Sequence, residues 1–219
     1  MMLRLIKVAL AVCAAAVLAG CVAPRPTAQK NDYSKFRAEN PRSVLVVPVV
    51  NRSVEVDAPD SLLTTIAMPL AERGYYVFPV NLVKQVMSEE GLSDADMVHA
   101  NDPVRLANLF GADSVLYISI ERWDARYAVL GTTVTVALTY TLKSGKTGET
   151  IWKSWQSAAH ASRTDQGLIG ALISAAIEKA APSYMPLARQ ANTEAVYVQG
   201  RGLPAGPYDP VYLKDQNAF

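Results

Sequence analysis

Few side chains in this 219-residue chain could carry reactive chemistry, and their spacing limits what each could do. It holds two histidines, His99 and His160, and two cysteines, Cys13 and Cys21. The histidines stand far apart, and neither has a second histidine or a carboxylate at metal-ligand spacing, so a zinc site is not expected. Either could work as an acid or base with a distant carboxylate, but a surface or capping histidine is the simpler reading. Glu89, Glu90, Asp94 and Asp96 make an acidic loop. It lacks the tight run of oxygen ligands around a glycine that a calcium loop needs, so a solvated helix end is expected. Gly145-Lys146-Thr147 has the ending of a phosphate-binding loop, yet Tyr140 stands where the first glycine is required. A hairpin turn is expected there. No G-x-S-x-G elbow is present, which leaves a serine hydrolase weakly supported. No catalytic residue, metal or cofactor is assigned.

Cys21 differs because of what precedes it. Arg4 and Lys7 supply a positive start, and Val8 to Val17 form an apolar run too short to cross a bilayer, the form of a secretory signal. Leu18-Ala19-Gly20-Cys21 then matches L-[AS]-[GA]-C and is similar to the processing site of bacterial lipoproteins. That similarity implies a diacylglyceryl group on the Cys21 sulfur, cleavage before it, and acylation of the new amine. An ordinary signal cut near Ala19 and an uncleaved anchor are the rival readings. Each buried CH₂ contributes roughly 0.8 kcal/mol, so one acyl chain holds a domain marginally and three hold it durably. Cys13 leaves with the signal, and no disulfide, redox pair or thiolate metal cluster can form. Val22, where an aspartate would mark retention, favours the outer membrane by analogy with enteric sorting.

The elements that would position any site follow from composition and periodicity. Removing a signal over 1–20 leaves 199 residues, enough for one sizeable domain. The formal charge of +1 falls to about −1 without Arg4 and Lys7. No basic stripe exists to neutralise phosphates, so nucleic acid is not an expected partner. Residues 21–43, polar with Pro24, Pro26 and Pro41, read as a lipidated cysteine and flexible tether reaching roughly 70 Å. Residues 44–190 read as an α/β domain. "SVLVVPVVN" has the continuous apolar run of a strand buried on both faces, with Pro48 suggesting an edge or a bulge. A helix is expected from Asp60 or Ser61 to Gly74, kinked at Pro69, then the strand "YYVFPV" and a helix from Asn81 to Gly91. Asp102, Pro103 and Gly111 bracket another helix, before a strand over 114–120. Val134, Val136, Leu138, Tyr140 and Leu142 share one face of a long antiparallel strand, with threonines opposite. "QGLIGALISAAIEKAA" reads as an amphipathic helix, after which the chain is expected to be irregular from Pro182. The fold class is α/β (α+β): a single three-layer-type domain with a mixed sheet, β-α-β-α-α-β, an antiparallel hairpin, a C-terminal helix, and a Pro/Gly/Tyr-rich tail over 191–219.

Surfaces are the remaining candidates. On the strand Glu149 to Ala158, Ile151 and Trp155 share one face while Trp152 points the other way, among Thr150, Ser154 and Gln156. If the threonine face meets solvent, Trp152 marks a docking site. The alternative is that the tail or a long loop covers it. Gly170 and Ser174 give the late helix a small-residue face for close packing within the domain or against a second copy. Tyr208 and Tyr212 lie in an aromatic tail that straps onto its own domain or a partner. Replacing Trp152 by alanine, or deleting the tail from Gly202, is expected to break association and leave the domain folded.

With the lipobox, "VLVVP", "ERGYYVFPV", "GADSVLYISI", the threonine hairpin and "GRGLPAGPYDP" in this order, the chain resembles one family. It is the uncharacterised Gram-negative outer-membrane lipoprotein family represented by a meningococcal vaccine-candidate lipoprotein. The resemblance implies a compact α/β domain similar to the N-terminal domain of TolB and to curli-secretion lipoproteins. It also implies an outer-membrane location, with the domain in the periplasm or at the cell surface, and homodimers as one assembly. No catalytic residues come with it. The expected function is a non-enzymatic assembly or accessory subunit of an envelope secretion or surface-structure complex, partnered by the membrane through Cys21 and by an envelope lipoprotein or pore-type protein. A lipoprotein that binds a small envelope ligand is the second reading, and an envelope hydrolase the third.

Overall fold

Val44 to Val47 explain the layering. Successive side chains of a strand point to opposite faces, and here all four are buried, so both faces must be covered. In the computed structural model, which describes residues 31–128, 131–163 and 184–219, the strand β1 (Ser43–Val46) sends Val44 and Val46 into one apolar cluster and Leu45 into another, joined there by Val47. The first cluster is completed by helices α2 (Ala58–Glu72) and α6 (Met185–Tyr197). The second is completed by α3 (Val80–Glu89), α4 (Ala95–Ala100) and α5 (Pro103–Phe110).

The sheet is open and mixed. β1 pairs in parallel with β3 (Tyr76–Val77) on one side and β4 (Ser114–Ala128) on the other; β5 (Gly131–Ser144) and β6 (Thr150–Arg163) continue it antiparallel. Pro48 cannot donate to a ladder, and the chain leaves the sheet there, returning as β2 (Val50–Asn51) on β4. The proline therefore marks an interruption in a central strand, not an edge. Beyond Ile120, where a bulge shifts β4 by one residue, the described sheet narrows to β4, β5 and β6. The alternation in β5 holds, with Val134, Val136, Leu138, Tyr140 and Leu142 in the first cluster.

The α/β class and mixed sheet are as expected, whereas three boundaries move. The tether expected over 21–43 is folded from Asn31 onward: α1 (Ser34–Glu39) packs there, with Tyr33 and Phe36 buried in the core. Two aromatics outweigh the polar setting that reads as linker, because each removes a large apolar area from water. The region after Pro182, expected to be irregular, holds the 13-residue α6. Pro186 sits in its first turn, where the missing N–H costs no hydrogen bond, and Leu187, Ala188, Ala191, Ala195 and Val196 bury one face. The tail accordingly begins after α6 and not at 191. Asp94, placed in the acidic loop, accepts from the Met97 N–H and caps the unanticipated α4. The helix that starts at Asp102 follows its signals: the Asp102 carboxylate accepts from Val104 N–H, and Gly111 closes it at φ +70°.

A buried polar chain joins the layers. The Tyr140 hydroxyl on β5 donates to Asn192 Oδ1 on α6 at 2.7 Å, and Asn192 Nδ2 donates to Thr65 Oγ1 on α2 at 2.8 Å. Each group is buried and satisfied, which fixes the register of two helices against the sheet.

Candidate interaction surface

Of the two tryptophans on β6, the structure buries the one expected to dock. Trp152 is 4 % exposed and Trp155 is 61 % exposed. Strict alternation along β6 is kept from Trp152 to Ala158, so Trp152, Gln156 and Ala158 face inward, whereas Lys153, Trp155 and Ser157 face water. Ile151 escapes the alternation because β6 is irregular opposite Leu142 and Lys143, which lets Ile151 and Trp152 both be buried. Ile151 and Trp155 therefore do not share an environment, and the inward face is the one that looks polar in sequence.

What covers Trp152 is the chain's own tail. The indole N–H of Trp152 reaches the carbonyls of Arg201 and Gly202 at 2.9 and 3.0 Å. The same stretch takes the Tyr33 hydroxyl on Gly202 O (2.7 Å), Arg73 Nε on Leu203 O (2.8 Å) and the Tyr75 hydroxyl on Pro204 O (2.6 Å). Arg73 closes the strap: its guanidinium pairs with Asp215 at 2.7 Å and stacks over the Phe219 ring at 4.7 Å. Gly206 is required by close approach, since a Cβ there would overlap the Gly74 backbone. Burial pushes the Tyr33 phenol up to about 12 and the Tyr75 phenol higher, so both remain donors across the ordinary pH range.

The other nominated residues divide. Tyr208 is exposed; Tyr212 donates to Asn40 Oδ1 at 2.8 Å and helps hold the tail on the domain. Gly170, Ser174 and the helix "QGLIGALISAAIEKAA" lie outside the described residues, as does Cys21. Trp155, Arg73, Tyr75 and Asp215 carry the surface and the strap without having been singled out, and no local pattern marks them.

His99 is half-buried, and its Nε2–H donates to the Pro48 carbonyl at 3.0 Å. Its ring stands edge-on to Tyr117 at 5.1 Å, and Lys143 Nζ lies over the other ring at 4.9 Å. Burial holds His99 below its ordinary value, against the pull of the Pro48 carbonyl and Asp96. A backbone carbonyl orients an imidazole without activating it, so this cluster is a packing unit with a neutral histidine. His160 is exposed on β6. Among the described residues no group of three His, Cys, Asp or Glu side chains could hold a metal ion. Gly145 to Gly148 form the β5–β6 turn, with the Ser144 hydroxyl accepting from Lys146 and Thr147 N–H. Two open cavities of about 340 Å³ exist, one beside Asp32, Arg37 and Asn217, the other beside Glu90, Leu92, Asn101 and Arg105.

Most of the described region, with the first part of the strap, falls within a family pattern. The model described as "Putative lipoprotein GNA1162-like" matches residues 31–207. The chain belongs to the GNA1162-like family. The match begins at Asn31, the first described residue, and ends at Pro207, past the Arg201–Pro204 stretch of the strap and short of Asp215 and Phe219. Within the family, the "Putative lipoprotein NMB1124/NMB1162" of Neisseria meningitidis serogroup B is 35% identical over 184 residues, covering 84% of this chain and 86% of the relative. The crystal structure of lipoprotein GNA1162 from Neisseria meningitidis superposes with a TM-score of 0.54 at 35% identity, covering 65% of this chain and all of the other. PelC of Paraburkholderia phytofirmans, solved as a dodecamer, matches at 16% identity and a TM-score of 0.42, over 75% of this chain and 93% of PelC. Among the described residues no helix is long and apolar enough to cross a membrane.

Proposed function

We propose that this GNA1162-like protein is a non-enzymatic accessory or assembly subunit of an envelope secretion or surface-structure complex, held at the outer membrane by lipid on Cys21. One observation carries the reading. Tyr212, Asp215 and Phe219 of the tail are spent on fastening it to the domain, whereas other large side chains are left in water: Val54 and Val56 at the β2–α2 loop, Tyr208 and Leu213 on the tail. Val54 and Val56 are 89 and 86 % exposed, within three residues of each other. A subunit that meets a partner has use for such side chains. The lipobox and the family's designation as lipoproteins support the anchor.

The test is crosslinking in intact cells followed by identification of what co-purifies, with Val54→Ser/Val56→Ser and Tyr208→Ala as surface variants. A stoichiometric envelope lipoprotein or pore-type subunit, lost in one variant that still folds, is the expected result. Recovery of the protein alone overturns the assembly reading. In that case the cavity beside Leu92 and Arg105, which lies within the size range of ligand sites, carries the small-ligand reading, and native mass spectrometry of the purified protein tests it.

A further inference from the structure

We infer that Trp155 is an interfacial anchor: the face of the domain where the lipidated tether emerges rests on the bilayer that holds the lipid, with the Trp155 indole among the headgroups. The inference rests on the reading of Cys21 as the lipid attachment point. Two facts of geometry carry it. The first is where the chain emerges. The Asn31 backbone N–H donates to Gly200 O, and its side chain donates to the carbonyls of Lys153 and Arg201 at 3.0 and 2.9 Å. Asn31, the first described residue, therefore sits at the β6 edge of the sheet, against Lys153. Trp155 lies two residues along the same strand, about 7 Å away, on the same outward face as Lys153.

The second is length. Asn31 stands ten residues after Cys21, so the chain between them spans at most about 35 Å. A domain of this size is about 40 Å across. The exit face is thus held within less than one domain diameter of the lipid, and a side chain 7 Å from the exit is among the first to meet it. Of the three tryptophans, Trp123 and Trp152 are buried, and only Trp155 is presented. An indole, apolar with one N–H donor, favours the headgroup zone over water or hydrocarbon. Lys153 and Arg201 are exposed beside it and would face lipid phosphates, where cations near an anionic surface are favoured. Asp32 and Glu149 lie at the same edge; Glu149 is paired with Lys35 and Asp32 with the Ser34 N–H.

The experiment uses the full lipidated protein in vesicles of phosphatidylethanolamine and phosphatidylglycerol, with mass spectrometry of the N-terminal peptide to establish acylation. Tryptophan emission should shift to shorter wavelength in vesicles, and lipids brominated near the headgroup should quench it. Trp155→Phe should remove both effects. Doubling the tether with Gly/Ser residues should lower the headgroup-bound equilibrium about threefold, as effective concentration falls with the −3/2 power of length. An acylated Cys21 with Trp155 still quenched by aqueous acrylamide and untouched by brominated lipid overturns the inference and leaves the anchor intact. Protection from acrylamide in unlipidated protein without vesicles overturns it in favour of a second copy on this face. An unacylated Cys21 overturns the anchor reading and the inference together.

Discussion

Trp152 and Trp155 stand three residues apart on one strand, and their different surroundings give two different expectations. Trp152→Ala removes a buried ring and leaves the Arg201 and Gly202 carbonyls without their indole donor, so it should cost about 3–5 kcal/mol in urea unfolding. Trp155→Ala removes an exposed ring and should change stability by less than about 0.5 kcal/mol. His99 gives a pH dependence. Its folded value lies below the ordinary 6.5 because burial disfavours the imidazolium, so the unfolded chain binds the proton first as pH falls. The stabilising contribution is complete above pH 6.5 and is lost as the pH falls through the lower folded value. Thermal unfolding between pH 7.5 and 5 should show a falling midpoint, and His99→Gln, which keeps a donor for Pro48 O, should flatten that slope.

At the scale of elements, the strap and the helices behave as parts of the domain. Deleting the tail from Gly202 cannot leave an unaltered domain, because it uncovers Tyr33, Tyr75 and Trp152 and strips Arg73 of its acidic partner. The truncated chain should be digested by a non-specific protease under conditions that leave the intact chain whole. Asp215→Ala is the milder probe. It leaves a guanidinium, buried with its partner, facing Asp209 at 3.9 Å, and should cost about 2–4 kcal/mol, with Asp215→Asn losing less because it still accepts from Arg73 and the Ala205 N–H. Asn192→Leu should cost about 1–3 kcal/mol by orphaning the Tyr140 hydroxyl inside the core, while Thr65 keeps its bond to the Leu62 carbonyl, read from the urea midpoint.

At the scale of the whole molecule, the decisive change from sequence to structure is the tether. Folding residues 31–43 into the domain shortens the span between Cys21 and the domain from roughly 70 Å to at most about 35 Å, so that a lipid on Cys21, as proposed, would keep the domain within that distance of the bilayer. Much was legible beforehand for a physical reason: strand burial, the Asp102 cap, the Gly111 stop and the one-sided β5 pattern are local properties, written within a few residues. Cys21 likewise stands on contiguous sequence. The chain by itself determined the α/β class, the mixed sheet, the family and the lipobox. Only the tertiary structure decided which face of β6 is inside, that the tail is a strap, and which tryptophan meets the solvent. Those outcomes depend on partners more than a hundred residues away, such as Arg73 with Asp215 and Tyr33 with Gly202, and a strand's alternation states that its two faces differ without stating which one the rest of the chain will cover.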